Sequence, residues 1–361
     1  MTNGMVLAFG ILGIALICDV AVAAGDACNE AATAAIDRLL LPVGSDPIYR
    51  SPMPQPILLE FQAPDNGQPI RVQGTLRPDQ LVVTEVLAVL EDSVGGLPDA
   101  TMVDISDTIY DTIIGYEPIL QSDRYHPHMS RTGLLHALAT LHGYTNYLEI
   151  GCDLDINFGD MASVPRLVST CVDPNRGGTH RMTSDDFFAQ YQGPPFDLVF
   201  IDGLHEHNQV LRDVMNSLSV LKAGGTIVLH DCTPRSRAKA ANIGAAFPGG
   251  YIWNGDVYRA VMQLRSRLDL EVFVGDFDYG VGIVRRGRNP NPLVLYDFPD
   301  WRSEWGEGQV SKEEWIFFKK HEVMLLDLMP VSQFLERTLC SSAEPAIIAE
   351  MGLQDKTIQL L

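Results

Sequence analysis

The chain has no lysine before Lys222 and little positive charge anywhere: 26 basic residues face 46 acidic ones over 361 residues, a net charge of -20. The N-terminal part therefore cannot present a lysine-rich patch. The negative field repels phosphate backbones and acidic membrane surfaces, which excludes nucleic acid as a partner and favours a small-molecule substrate. Cysteine is sparse. Cys18, Cys28, Cys152, Cys171, Cys232 and Cys340 include no pair at CxxC spacing, which argues against a zinc knuckle or a thioredoxin-type centre. Three of them lie in or beside predicted strands, and they read as small buried thiols in a reducing compartment. Long apolar runs are also scarce. Met5–Ala24 is broken by Asp19 and several glycines and barely reaches the ~20 residues of a spanning helix. Three readings share it: a signal segment with its apolar core at Val6–Cys18 but no basic start, a membrane anchor, and, preferred, a helix of a soluble protein. Membrane contact through residues 5–24 stays open on this reading.

What is present is a chain that can bury a core, 46% hydrophobic and 20% charged, without repeats or long low-complexity tracts. It divides into an apolar segment (1–25), an accessory region (26–129), a principal domain (130–288) and a helical tail (289–361). Residues 26–44 predict a helix, and 45–56 a proline-rich linker. Pro56–Gln62 and Pro69–Arg77 predict a hairpin over Asp65-Asn66-Gly67. From residue 130 the pattern sharpens. A helix over Arg131–Leu141 precedes four short apolar runs: Tyr147–Ile150, Leu167–Val172, Phe196–Ile201 and Thr226–Leu229. Each is closed by a polar residue or glycine, as buried parallel strands are. Val210, Leu211, Val214, Leu218 and Leu221 recur at helical spacing, with Gly224-Gly225 as the expected stop. Leu270–Val274 and Gly280–Arg285 fit a closing antiparallel pair. Ser311 and Glu314 form a capping box for a helix running to about Met329 and ending at Pro330. Alternating strands and helices imply an α/β fold, a doubly wound, mostly parallel Rossmann-like sheet, with ligands beyond the carboxyl ends of its strands.

The acids fall at those ends. Gly151 closes the first strand, and Asp173, 22 residues on, stands where a carboxylate accepts both hydroxyls of a ribose; a helix-capping Asp is the plainer alternative. No GxGxxG follows the first strand, so the glycine-lined cradle of a pyrophosphate is missing and NAD or FAD is disfavoured. A cofactor with a cationic sulfonium and no phosphate suits an acid-rich pocket better.

Val172-Asp173-Pro174, the stretch Arg176–Asp185, Phe196–His205 with its Asp-Gly-x-His, and Gly225–Cys232 with its His-Asp-Cys together resemble class I S-adenosylmethionine-dependent methyltransferases. They are most similar to the group of macrolide-sugar O-methyltransferases and their cephalosporin-hydroxylase-like relatives. The resemblance covers about 160 residues; the usual second glycine of the first cofactor loop is absent near Leu154 and Asp155. It implies that Glu149 and Gly151 line the amino-acid end of S-adenosylmethionine, Asp173 binds its ribose, and Ser184 and Asp185 lie near the adenine. It further implies that Asp202 and Asp231, with His230 beside them, hold a metal such as Mg2+, and that His205 is the base, acting with Asp202. The implied reaction is O-methylation of a small-molecule or glycosidic hydroxyl. A cation on the oxygen would lower its pKa and an imidazole would take the proton. Cofactor supply implies the cytoplasm. Two alternatives keep the fold: an iron-dependent, oxygenase-like relative using Asp202, His230 and Asp231, and a non-catalytic scaffold. Trp253–Asp256 reads either as a loop over the active site or as a structural turn. His207 reads as solvent-facing, His126 and His128 as loop residues, and Arg235, Arg237 and Lys239 as a solvated face. Oligomeric state is not legible.

Overall fold

The structure is a computed structural model that describes residues 30–40, 55–62, 69–76, 130–234, 237, 239–241, 253–294 and 310–340. The apolar run Met5–Ala24, residues 45–54 of the linker 45–56, the turn Asp65–Gly67, His126, His128 and Arg235 lie outside those residues, and Gln55 and Pro56 open β1. In chain order the elements are α1 (Glu30–Leu40), β1 (Gln55–Gln62), β2 (Pro69–Leu76), α2 (Arg131–Leu141), β3 (Asn146–Ile150), α3 (Ile156–Met161) and β4 (Val168–Val172). Then follow α4 (Ser184–Gln190), β5 (Phe196–Ile201), α5 (His207–Val220), β6 (Leu221–Leu229), α6 (Val257–Arg265), β7 (Leu270–Gly275) and β8 (Val281–Arg286), and finally α7 (Lys312–Leu326), β9 (Leu328–Met329) and α8 (Val331–Cys340).

β1 and β2 form the expected antiparallel pair. The main sheet has the order β4-β3-β5-β6-β8-β7-β9. β3, β4, β5 and β6 are mutually parallel, and β8 alone runs against its neighbours β6 and β7. This is the expected Rossmann-like, mostly parallel sheet with its closing antiparallel pair. Its central strands are mostly apolar because helices cover both faces. Leu148, Val199, Ile227 and Val284 pack with α5 and α6, whereas Tyr147, Phe200, Val228 and Ile283 pack with α2 and α8. The tail joins the same core: Trp315, Phe318 and Leu325 of α7 pack with the first group, and Phe334 of α8 with the second.

Three local expectations change. Gly224-Gly225 does not stop α5. The helix ends at Val220, and both glycines lie within β6, whose pairing with β5 shifts register between Phe196 and Leu198. α7 stops at Leu326, where Asp327 takes the left-handed conformation; Leu328–Met329 then pair in parallel with β7 instead of extending the helix. Two cysteines read as thiols, Cys152 and Cys171, form a disulfide between the loop after β3 and the end of β4, and Cys340 is also disulfide-bonded. Cys232 is the buried free thiol among the described cysteines.

Candidate active site

The parallel strands end side by side, so their next residues share one rim. Gly151 N donates to Val172 O, Asp202 N to Ile150 O, and His230 N to Ile201 O. Gly151 has a φ of +91°, and a side chain there would overlap the Asp202 carbonyl, so the position needs glycine. Asp173 is buried, and its carboxylate accepts the backbone N–H groups of Asp153, Asn175 and Arg176. Burial pushes its pKa up, but these N–H groups outweigh it and hold the carboxyl below its ordinary range. Glu149 is fully enclosed and accepts a hydrogen bond from Tyr147 Oη at 2.8 Å. Burial lifts its carboxyl to about 8 against the opposing hydrogen bond. Ser184 and Asp185 start α4, and Gln209 Nε2 donates to Ser184 Oγ at 3.1 Å.

A second group gathers beyond β5 and β6. His205 Nε2 lies 3.3 Å from Asp202 Oδ1, and His205 Nδ1 lies 2.8 Å from Trp253 O and 3.3 Å from Asp231 Oδ2. His230 Nδ1 is 3.1 Å from Asp202 Oδ1 and 3.3 Å from Asp231 Oδ2. Its other nitrogen faces Asp278 Oδ1 at 3.4 Å and Arg131 Nη1 at 3.1 Å. Burial pulls both imidazoles down; Asp231 and Asp202 outweigh it and raise His205, and raise His230 well above the ordinary value. Burial would lift Asp202, but His230, His205 and Arg131 hold it well below the carboxylate range. Asp278 is held low in the same way, by His230 and Arg131 against burial.

Sequence reading finds Asp202, His205, His230 and Asp231, and the structure brings all four together. It misses Arg131 and Asp278, and reaches Asn254 only as part of the Trp253–Asp256 loop. Arg131 opens α2, Asp278 sits in the β7–β8 turn at φ +46°, and Asn254 Nδ2 donates to Asp231 Oδ1 at 2.5 Å. The left-handed φ of Asp278 and Tyr279 leaves no apolar pattern to read, and the turn-rich Gly275–Tyr279 was the one available signal. His207 is a correction: it is buried, not solvent-facing, because Asp256 takes both its backbone N–H (2.7 Å) and its Nδ1 (3.0 Å).

Residues 132–232, which carry β3 to β6 together with Gly151, Asp173, Asp202, His205, His230 and Asp231, match the family model of a methyltransferase domain. Within those residues the chain reads as a methyltransferase domain, as expected. The match agrees with the expected methyltransferase activity, and the oxygenase-like alternative is not favoured. The match covers well under half of the chain. No curated protein matches it. Among solved structures the domain is similar to the O-methyltransferase TomG from Streptomyces achromogenes, involved in tomaymycin synthesis and solved with SAM (17% identity, 56% of this chain and 95% of that one, TM-score 0.34). It is similar to the Bacillus cereus O-methyltransferase in complex with SAH (14% identity, 56% and 97%, TM-score 0.34). It is also similar to the SAH-bound methyltransferase PaMTH1 from Podospora anserina (17% identity, 59% and 99%, TM-score 0.36). Likeness at this level carries no argument about what this chain acts on. No helix among the described residues is long and apolar enough to cross a membrane.

Proposed function

We propose that this methyltransferase moves the methyl group of S-adenosylmethionine to a hydroxyl of a small molecule or a sugar. One observation carries the reading. A strand-end glycine and an anchored carboxylate, Gly151 and Asp173, share a rim with an imidazole–carboxylate centre one and two strands away. In this reading Gly151 lets the cofactor approach the backbone, with Glu149 beneath it, Asp173 meets the ribose, and Ser184 and Asp185 flank the adenine.

His205 is the base. Trp253 O accepts its Nδ1–H, which leaves Nε2 as the nitrogen with a free lone pair in the neutral ring. The hydroxyl proton would pass to Nε2 as the acceptor oxygen takes the methyl group, which S-adenosylmethionine, when bound, would supply. Asp202 and Asp231, each 3.3 Å from the ring, stabilise the imidazolium so formed. Asp202 and Asp231, with His230 Nδ1 3.1 Å and 3.3 Å from their oxygens, would hold a divalent ion such as Mg2+, which leaves His205 Nε2 for the proton. Such an ion, when bound, lowers the pKa of the hydroxyl.

Cofactor supply favours the cytoplasm. The Cys152–Cys171 bond pulls the other way, because disulfides persist in oxidising compartments; the redox state of this pair in cells decides between them. The acidic chain favours a small-molecule acceptor over nucleic acid. Calorimetry tests the reading. S-adenosylmethionine binds with micromolar-scale affinity, Asp173→Ala weakens it at least tenfold, and Asp202→Ala keeps binding but loses transfer. Absence of binding to the intact chain ends the proposal.

A further inference from the structure

Arg131 is in the wrong place for a helix. It opens α2 directly after its N-cap Ser130, where the helix dipole is positive and a cation is disfavoured. Carboxylates account for its presence. Its backbone N–H donates to Asp278 Oδ2 and its Nη1 to Asp278 Oδ1, both at 2.9 Å. Its Nε lies 3.7 Å from Asp202 Oδ2, buried and without a hydrogen-bond partner among the described residues. The guanidinium thus bridges Asp278 to Asp202, and Asp202 is a member of the donor set that a divalent ion would use.

We propose that Arg131 is the resident cation of this centre: it fills the charge role of a divalent ion, and the centre of this chain binds metal weakly because of it. The physical reason is direct. An arginine side chain keeps its charge at every working pH, and a second cation beside it in a low-dielectric site is repelled. Two carboxylates on Arg131 have less negative charge left to offer an incoming ion. The inference concerns the same centre as the proposed methyl transfer but does not depend on it, so the two fail separately.

Manganese titration decides it. Mn2+ binding to the full chain is followed by calorimetry and by the paramagnetic signal of the free ion, for wild type, Arg131→Gln and Arg131→Lys. Arg131→Gln binds Mn2+ at least tenfold more tightly than wild type. Arg131→Lys keeps the charge and stays within about threefold of wild type. A purely structural arginine gives the opposite sign: losing it would loosen the Asp278 turn and weaken binding. Equal, weaker or undetectable binding in Arg131→Gln overturns the proposal, as does a Lys variant that gains as much as the Gln variant. If circular dichroism shows Arg131→Gln unfolded, Arg131→Met, which keeps the aliphatic stem, is titrated in its place under the same criteria.

Discussion

His205 and Trp253 are joined twice: their rings stack at a centroid distance of 5.1 Å, and the tryptophan carbonyl lies 2.8 Å from the imidazole Nδ1. One residue of the loop after β6 thus sets both the plane of the ring and the nitrogen that carries its proton. The segment that follows is fitted just as closely. Gly255 has a φ of +63°, and a side chain there would overlap the His205 carbonyl oxygen.

The first prediction follows from that fit. Gly255→Ala strains the backbone and displaces His205, so kcat falls about tenfold or more. S-adenosylmethionine binding stays within threefold, because the proposed cofactor residues lie at the ends of β3 and β4 and at the start of α4. Initial rates on an acceptor found by screening hydroxyl compounds, with calorimetry on the same samples, check it. Loss of cofactor binding in step with kcat would show that the loop serves the fold and not the imidazole.

The second concerns pH. His205 is raised above the ordinary imidazole value of 6.5, because Asp231 and Asp202 overcome the effect of burial. A base works when unprotonated, so kcat/KM rises with pH through an inflection above 6.5, and Asp231→Asn moves that inflection down. An inflection below 6.5 in the wild type would remove His205 from the role. Stability has the opposite slope for this group. A raised imidazole stabilises fully below its unfolded pKa, and that contribution is lost as pH rises through the folded value. Asp202, held low, stabilises fully above its unfolded pKa, and that contribution is lost as pH falls through the folded value. Both contributions are complete only between about pH 4 and 6.5.

The third lies in the core. Glu314 of α7 accepts Arg259 Nε at 2.8 Å and Nη2 at 2.6 Å, and Tyr258 Oη at 2.8 Å; Arg259 Nη1 reaches Asp256 Oδ2 at 2.9 Å. All four residues are buried. Glu314→Ala leaves Arg259 half-paired in the interior and costs about 3–5 kcal/mol. Denaturant unfolding measures it, and a loss under 1 kcal/mol would mean that the pair contributes little.

The fourth is redox. The Cys152–Cys171 bond closes a loop of sequence separation 19, which stabilises the fold by about 3 kcal/mol on the chain-entropy account. The midpoint of unfolding falls with reductant, and falls by less in Cys152→Ser/Cys171→Ser, where the bond that Cys340 makes remains to be reduced. An unchanged midpoint in the reduced wild type would count against the bond.

Much of this was legible in the sequence, for a physical reason. Buried parallel strands are short apolar runs, so Phe196–Ile201 announces itself, and the polar residue that ends each run, as Asp202 does, marks the rim. The capping residue Ser311 was equally plain; Glu314 N donates to its Oγ at 3.1 Å. The Glu314 side chain, however, goes to Arg259, a pairing across 55 residues that local pattern cannot contain. His207 fails for the same reason: beside Glu206 and Asn208 it reads as surface, and only Asp256, 49 residues on, makes it core. Arg131 and Asp278, 147 residues apart, were invisible as a pair.

The short strand β9 gives the tail a reach beyond its own length. Asp276 N donates to Met329 O, and Val274 N to Asp327 O, so the segment Asp327–Met329 grips the chain immediately before Asp278. A fragment cut at residue 288 would keep every strand of the parallel half and still set this turn adrift, and with it the carboxylate that anchors Arg131. Any shortened chain meant to reproduce the charge balance of the rim has to extend past Met329.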